Sequence, residues 1–311
     1  MPNLIDLRRR IKSVKNTQQI TKAMKTVSTA KFKKAQRVVL EGRPLWHESP
    51  DVLAQLSRWA GAASHPLFAV REEKRVRVIV LTSDKGLCGA FNSNLLTAAL
   101  EFIRGKAQGA DVRLVLIGKK AANFFRKQPF PVEKAYADKT DRLGDADFAD
   151  LATRLVREFT FQDTDAVYAV YNEFKSVLAP RIMTVRLLPV ARPADSAVKD
   201  DLVDSAVKDG LVVADVADAA SGPADSAPDW EPTAPVLLAA LVPRYLEDQL
   251  RHFYGESQAA EQAARMMAMD SASQNAEELI GDLVLVMNKI RQASITKELL
   301  EIISAVEAMK K

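Results

Sequence analysis

Apolar residues open the chain in a 3-4-3 rhythm. Leu4, Leu7, Ile11 and Val14 recur at the spacing of a coiled-coil seam, and neither proline nor glycine occurs from Asn3 to Glu41. The pattern predicts a single helix of about 40 residues, roughly 60 Å long at 1.5 Å per residue. Carrying the register forward places Gln18, Thr21, Lys25 and Ser28 on the seam, while Ile20, Met24 and Val27 form a second, displaced stripe. The expectation is a packing partner that changes midway along the helix. Gly42-Arg43-Pro44 predicts a break or bend, followed by a further helical piece through Trp46, Leu53, Leu56 and Trp59.

The other end mirrors this. From Arg244 to Lys311 only Gly255 and Gly281 interrupt a helical composition, and the run of about 68 residues would reach roughly 100 Å if straight. One seam reads Leu279, Leu283, Val286, Ile290, Ala293, and another reads Ile295, Leu299, Ile302, Val306, Met309. The slip between them falls at Arg291-Gln292-Ala293-Ser294. Pro243 predicts a first turn or a kink. Two long helices at opposite ends, each with a 3-4 seam, bury one another's stripes most economically as an antiparallel pair.

Between them the period changes. Val76 to Leu81, Val112 to Ile117, Ala166 to Tyr171 and Ile182 to Leu188 are short β-branched runs. NSNLLTAALEFIRG, with Asn92 and Ser93 as candidate N-caps, and the face Phe148, Leu151, Leu155, Phe159 predict intervening helices. The class is therefore α/β: a long antiparallel coiled coil of terminal helices plus a small Rossmann-like open sheet with parallel members, its last two strands a candidate antiparallel hairpin. Ala191 to Glu231 differs in kind. DSAVKD occurs twice, and nine Asp plus Glu231 face only Arg192, Lys199 and Lys208, a low-complexity composition that predicts a surface insert. The resulting segments are 1–60, 74–190, 191–233 and 234–311.

Charge sharpens the picture. The formal net charge is +4, yet eleven basic residues against Asp6 and Glu41 make the first 42 residues strongly positive, and the remainder is acidic. A basic helix means a solvated face or an acidic partner. The single Cys88 excludes an internal disulfide and fits a reducing compartment. His47, His65 and His252 are too scattered for a zinc site. No apolar run approaches a bilayer span, so membrane contact is expected only through partners, and the start has no apolar core of a secretory signal.

Candidate chemistry is thin. SDKGLCGAFNSN, Ser83 to Asn94, is a glycine-bearing turn between a strand and a helix, where phosphates bind in many α/β proteins, but it lacks G-x-x-x-x-G-K-[ST] and reads as a structural turn. IGKK at Ile117 is equally short of a phosphate loop. G-x-S-x-G and H-E-x-x-H are absent. No catalytic, cofactor-binding or metal residue is expected.

Three stretches carry a resemblance: NTQQITKAMKTVSTAKFKKAQ near the start, SDKGLCGAFNSNL in the middle, and ESQAAEQAARMMAMDSASQNAEELI with NKIRQASITKELLEIISA at the end. In order and spacing they resemble the gamma subunit of F-type ATP synthases. The resemblance implies a central rotor axle entering a hexamer of alpha and beta subunits, with the sheet domain near the epsilon subunit and a membrane c-ring. It implies catalysis on beta, not here, and coupling of proton-driven rotation to ATP synthesis. Lys22, Met24, Lys25, Arg291, Gln292 and Thr296 match the region that touches beta; Leu299, Ile302, Val306 and Met309 match an apolar bearing tip; Trp230 and Glu231 lie near the ring and epsilon side. It also implies the cytoplasmic face of a bacterial inner membrane. The photosynthetic branch carries a redox cysteine pair in an insert after the segment equivalent to LLP; here that insert has none, so thiol control is expected to be absent. The insert is read as modulating rotation or meeting epsilon. A nucleic-acid-binding coiled coil is the alternative that the basic helix offers, and it predicts steeply salt-sensitive duplex affinity; the rotor reading calls for no nucleic acid.

Overall fold

The computed structural model describes residues 4–59, 65–138, 140, 143–177, 180–190 and 231–309. Its elements run α1 (Leu4–Trp59), β1 (Arg75–Leu81), α2 (Phe91–Ala107), β2 (Asp111–Ile117), α3 (Lys119–Phe125), β3 (Val132–Tyr136), α4 (Asp145–Thr160), β4 (Ala166–Glu173), β5 (Arg181–Leu188) and α5 (Ala234–Ala308). The insert and Trp230 lie outside the described residues.

The terminal helices pair antiparallel, as their periodicity predicts. Leu7 and Ile11 cluster with Leu283, flanked by Val14, Ile280, Met287 and Ile290. Further down, Thr21 meets Ser273, Lys25 meets Asp270, Arg43 meets Glu256, and Trp46 stacks on His252 with ring centroids 4.2 Å apart. Each step of three or four along α1 meets a matching step back along α5.

Four expectations about these helices are corrected. The seam of α1 does not move to the displaced stripe midway: Thr21, Ser28, Phe32 and Val39 stay buried in the original register, Phe32 gaining Phe174 of the sheet domain as a partner, and Ile20 and Val27, on the displaced stripe, are exposed. On α5 the seam runs through Met269, Ser273, Ala276 and Leu283, whereas Leu279 and Val286 face outward. Small side chains let the two backbones approach there, so position in the 3-4 register decides burial, not side-chain size. Finally, α1 passes through Gly42-Arg43-Pro44 without a break. Gly42 serves packing, since a Cβ on it would lie 2.3 Å from Trp46 Cζ2. Similarly, Pro243 falls inside α5 and not in its first turn, between the buried Leu238 and Val242 on one side and Leu246 and Leu250 on the other. Burial of an amphipathic face offsets the amide that proline removes.

The middle of the chain forms one five-stranded sheet in the order β3-β2-β1-β4-β5. β1, β2, β3 and β4 are parallel to their neighbours and β5 returns antiparallel to β4, the expected hairpin. Alternate residues serve opposite faces. Val76, Val78 and Val80 meet α2 and α3 through Leu95, Ala99, Ile103 and Phe125. Ile79 and Leu81 face the other layer, where Phe148, Leu151, Leu155 and Phe159 of α4 join Leu238, Val242 and Leu246 of α5 and Leu53 and Leu56 of α1. The lower coil is thus the third layer of the sheet domain. β3 escapes the sequence pattern because it is an edge strand with charged residues at Glu133 and Lys134. Inside β1, Arg77 is only 3% exposed and lies 2.8 Å from Glu133 and 3.4 Å from Glu158.

Candidate functional site

The coil offers two surfaces of different chemistry, and they are far apart. Around Thr21 the seam turns polar. Thr21 and Ser273 share a buried hydroxyl hydrogen bond of 2.7 Å, Lys25 Nζ lies 2.6 Å from Asp270 Oδ1, and Gln18 donates to Glu277 at 3.3 Å. Lys22 beside them is exposed and Met24 half-buried. Lys25 is therefore already engaged by α5, in a partly solvated pair of the kind worth about 0 to 1 kcal/mol.

Beyond Ile290, α5 outruns α1. Residues 291–308 continue as helix for roughly 27 Å, and among their described side chains only Ser294 is even half-buried. Ile295, Leu299, Leu300, Ile302 and Ile303 are all more than half exposed, and Met309 is 88% exposed. The Ile295-to-Met309 seam has no partner helix among the described residues. Val306's side chain lies outside what the structure describes. Arg291, Gln292 and Thr296 stand exposed at the base of this extension, with Thr296 Oγ1 donating to Gln292 O at 3.0 Å. The six residues assigned to beta contacts are thus two groups, one near Asp270 and one some 21 residues further along α5, roughly 30 Å away. Glu231 is exposed just before α5.

The Ser83-to-Asn94 turn is closed by its own polar groups. Asp84 accepts from the backbone amides of Lys119, Asp138 and Thr140, at 2.8, 3.1 and 2.9 Å, and from the Thr140 hydroxyl. Burial would raise the Asp84 pKa, but the Thr140 hydroxyl and these amides outweigh it and hold the carboxyl below its usual value. A carboxylate of the chain itself thus occupies the crevice at the carboxyl ends of the strands, where α/β proteins receive anionic ligands. Asn92 does not cap α2, as its candidate N-cap role required. Its amide reaches back to Ser83 Oγ at 2.8 Å and Cys88 Sγ at 3.1 Å, and Ala90 holds the cap position without a side-chain bond. Burial pushes the Cys88 thiol up despite the opposing pull of Arg265, which disfavours the thiolate.

Two further residues, both inside the stretch ESQAAEQAARMMAMDSASQNAEELI but given no role there, lock this domain to the coil. Arg265 of α5 donates to the carbonyls of Gly86 and Lys85 at 3.3 and 3.4 Å and pairs with Glu261 at 2.7 Å. Glu256, 1% exposed, accepts from the Phe174 amide at 2.9 Å and from Arg43 at 3.3 Å, while Arg43 also donates to Phe174 O at 2.7 Å. Burial alone would raise the Glu256 pKa, but His252, the Phe174 amide and Arg43 together hold it below the ordinary value. The sequence signal for them is that stretch, in which each is a charged residue beside small ones. Among the described residues no group of His, Cys, Asp or Glu is arranged to hold a metal, and no helix is long and apolar enough to cross a membrane.

Comparison with known proteins bears on the same architecture. A family profile described as ATP synthase matches residues 3–309. The ATP synthase gamma chains of Pelotomaculum thermopropionicum and Desulforudis audaxviator are 38% and 40% identical over 312 residues, covering 100% of both chains in each case. That of Solibacter usitatus is 41% identical, with 99% of each chain covered. Among solved structures, a chain of the Euglena gracilis mitochondrial ATP synthase (OSCP/F1/c-ring, rotational state 3) superimposes with a TM-score of 0.62 at 19% identity, covering 98% of this chain and 94% of that one. A chain from the central stalk and c-ring of the Tetrahymena thermophila mitochondrial enzyme gives 0.58 at 22% identity, covering 82% and 99%. At these identities the structural likeness speaks to the fold.

Proposed function

The chain belongs to the ATP synthase gamma-chain family, and from that premise we propose that it is the non-catalytic central-stalk rotor, coupling proton-driven rotation of a c-ring to ATP synthesis at beta subunits. The observation that carries this reading is the unequal coil: a paired, basic-faced lower part with a polar seam, and a single apolar helix projecting beyond it. A turning axle must exchange neighbours without being trapped at one angle. Exposed polar and charged contacts are each worth little in water, and an axle that meets the collar differently at each angle can favour a different state of each catalytic site.

In this reading Lys22, Met24 and Lys25 form a lower ring of beta contacts and Arg291, Gln292 and Thr296 an upper one, so the collar is gripped at two levels. The projecting helix, through Leu299, Ile302, Val306 and Met309, turns in an apolar bearing. Its exposed aliphatic surface is large for a free chain and needs such a sleeve. Glu231 and Trp230 sit towards epsilon and the ring, and the chain meets the membrane only through partners, at the cytoplasmic face of a bacterial inner membrane.

Assembly tests this. Mixed with the alpha and beta subunits of a gamma-chain relative, the full chain should enter a complex at one copy per three alpha-beta pairs and raise its ATPase activity. A chain that stays monomeric beside active alpha-beta hexamers would overturn the proposal.

A further inference from the structure

A cavity of about 340 Å³ lies where the sheet domain meets the coil. Protein interiors hold few voids wider than one water; this one has space for about eleven, at roughly 30 Å³ each. Its walls come from two different bodies. Phe91 opens α2, and Asn172 of β4 stands directly opposite Ile182 of β5 in the antiparallel pair, so the two share one face of the sheet. The coil supplies Met267 and Ala268 of α5, both half-buried, and the exposed Ser271 one turn further on marks the mouth.

One wall group is out of balance. Asn172 is 2% exposed, and its side-chain Nδ2 has no hydrogen-bond partner among the described residues. Buried donors are nearly always satisfied, because an unsatisfied one loses its hydration without return. The cavity therefore holds a donor that lacks an acceptor. Among the described residues no Asp, Glu, Lys, Arg or His lines it, so a charged guest would give up its solvation with no counter-ion to meet it. Phe91 and the Met267 thioether are instead suited to an aromatic ring. What fits is neutral, mostly apolar, about a dozen heavy atoms in size, and carries one hydrogen-bond acceptor.

We propose that this cavity binds a small uncharged aromatic carbonyl compound, its ring between Phe91 and Met267 and its oxygen accepting from Asn172 Nδ2. One wall belongs to the coil and the other to the sheet domain, so the site exists only while the joint between them is closed. A bound guest clamps that joint, the same one that Glu256 and Arg265 hold. This assignment does not depend on the rotor reading.

Titration of the full chain with 1-tetralone, and with tetralin as the counterpart that lacks the carbonyl, tests it. Isotope-labelled methionine and isoleucine methyl groups report binding by NMR, with Met267→Leu and Ile182→Val assigning the two signals of interest. 1-Tetralone should shift both signals saturably, with a Kd on the order of 1 mM or tighter, as about eleven heavy atoms can supply. Tetralin should bind at least tenfold more weakly. Asn172→Leu keeps the volume and removes the stranded amide, and should erase that preference. Ala268→Phe fills the cavity from a half-buried position and should abolish binding of both probes, with the circular dichroism melt as the folding control. If Asn172→Leu fails that control, the preference in the wild-type chain and the loss in Ala268→Phe still decide. At three times Kd the Phe174 amide should exchange about fourfold more slowly, since a guest confined to the closed joint contributes the factor 1 + [L]/Kd. Equal affinity for the two probes in the wild-type chain, unchanged binding in Ala268→Phe, shifts confined to other methyls such as that of Ile302, no saturable shift at all, or Phe174 exchange indifferent to bound probe would each overturn the proposal.

Discussion

Removing the Glu256 carboxylate should loosen the joint between the sheet domain and the coil. In Glu256→Ala the Phe174 amide loses its acceptor at 2.9 Å and the Arg43 guanidinium loses a partner at 3.3 Å, at a site where Glu256 is 1% exposed. Arg43 keeps its 2.7 Å bond to Phe174 O and is one-third exposed, so water can recover part of its loss. The amide cannot recover as easily. Stranding one partner of a buried charged pair costs about 3 to 5 kcal/mol, and the exposure of Arg43 places this case near the lower bound. At about 1.4 kcal/mol per tenfold, site-resolved hydrogen exchange at the Phe174 amide should accelerate by roughly a hundredfold or more. Glu256→Gln keeps an acceptor for that amide and loses the charge, so about tenfold is expected, from a charge-assisted bond worth about 1.5 to 3 kcal/mol becoming neutral. The pH dependence follows from the same geometry. A carboxyl held below its ordinary value contributes stability that is complete above that value and fades as pH falls through the lowered one. Acidification should therefore mimic Glu256→Gln. Unchanged Phe174 exchange in Glu256→Ala would mean that this carboxylate does not hold the joint.

Other substitutions separate the remaining contacts. Gly42→Ala adds a Cβ 2.3 Å from Trp46 Cζ2; overpacking of about 1 to 3 kcal/mol should exceed the gain of up to about 1 kcal/mol in helix propensity, lowering the urea midpoint and shifting Trp fluorescence. Replacing Thr21 by Val together with Ser273 by Ala removes both ends of the 2.7 Å hydroxyl bond and should leave coil stability unchanged or slightly raised, measured by circular dichroism, because removing both partners of a buried bond is nearly neutral. Arg77→Met leaves Glu133 and Glu158 with Arg154 as their ion-pair partner among the described residues and should cost about 3 kcal/mol or more in denaturant titration. Leu299→Ser with Ile302→Ser, at positions 55% and 60% exposed, should leave the melt of the isolated chain within about 0.5 kcal/mol while weakening its assembly with alpha and beta, read by size-exclusion chromatography.

The coil was legible because Leu7, Ile11 and Val14 state its period, and the sheet because its buried parallel strands are unbroken aliphatic runs. What was lost was lost for physical reasons. Thr21, Ser28, Ser273 and Ala276 hold the seam by register, and a scan for large apolar residues passes over them in favour of Leu279 and Val286, which face outward. β3 carries charged residues, Glu133 and Lys134, at an edge, and they break its aliphatic run. Gly42 and Pro44 look like punctuation until Trp46 is seen to occupy the space a side chain would take. The proposed contacts came from resemblance and not from pattern. Nothing in their spacing says that Lys25 already has Asp270 as a partner, or that Arg291 stands a full 21 residues beyond it on α5. Glu256 and Arg265, which join the domain to the coil, lie inside the resembling stretch, but their role becomes visible only once both helices are in place.

Rotation itself is the most direct test. With Cys88 replaced by Ser and the exposed Lys127 replaced by Cys, a bead can be attached to the sheet domain of a chain assembled with surface-fixed alpha and beta subunits. ATP should drive the bead round in one direction, pausing at three angles per turn, one for each catalytic site. A bead that stays still while the same complexes hydrolyse ATP would contradict it.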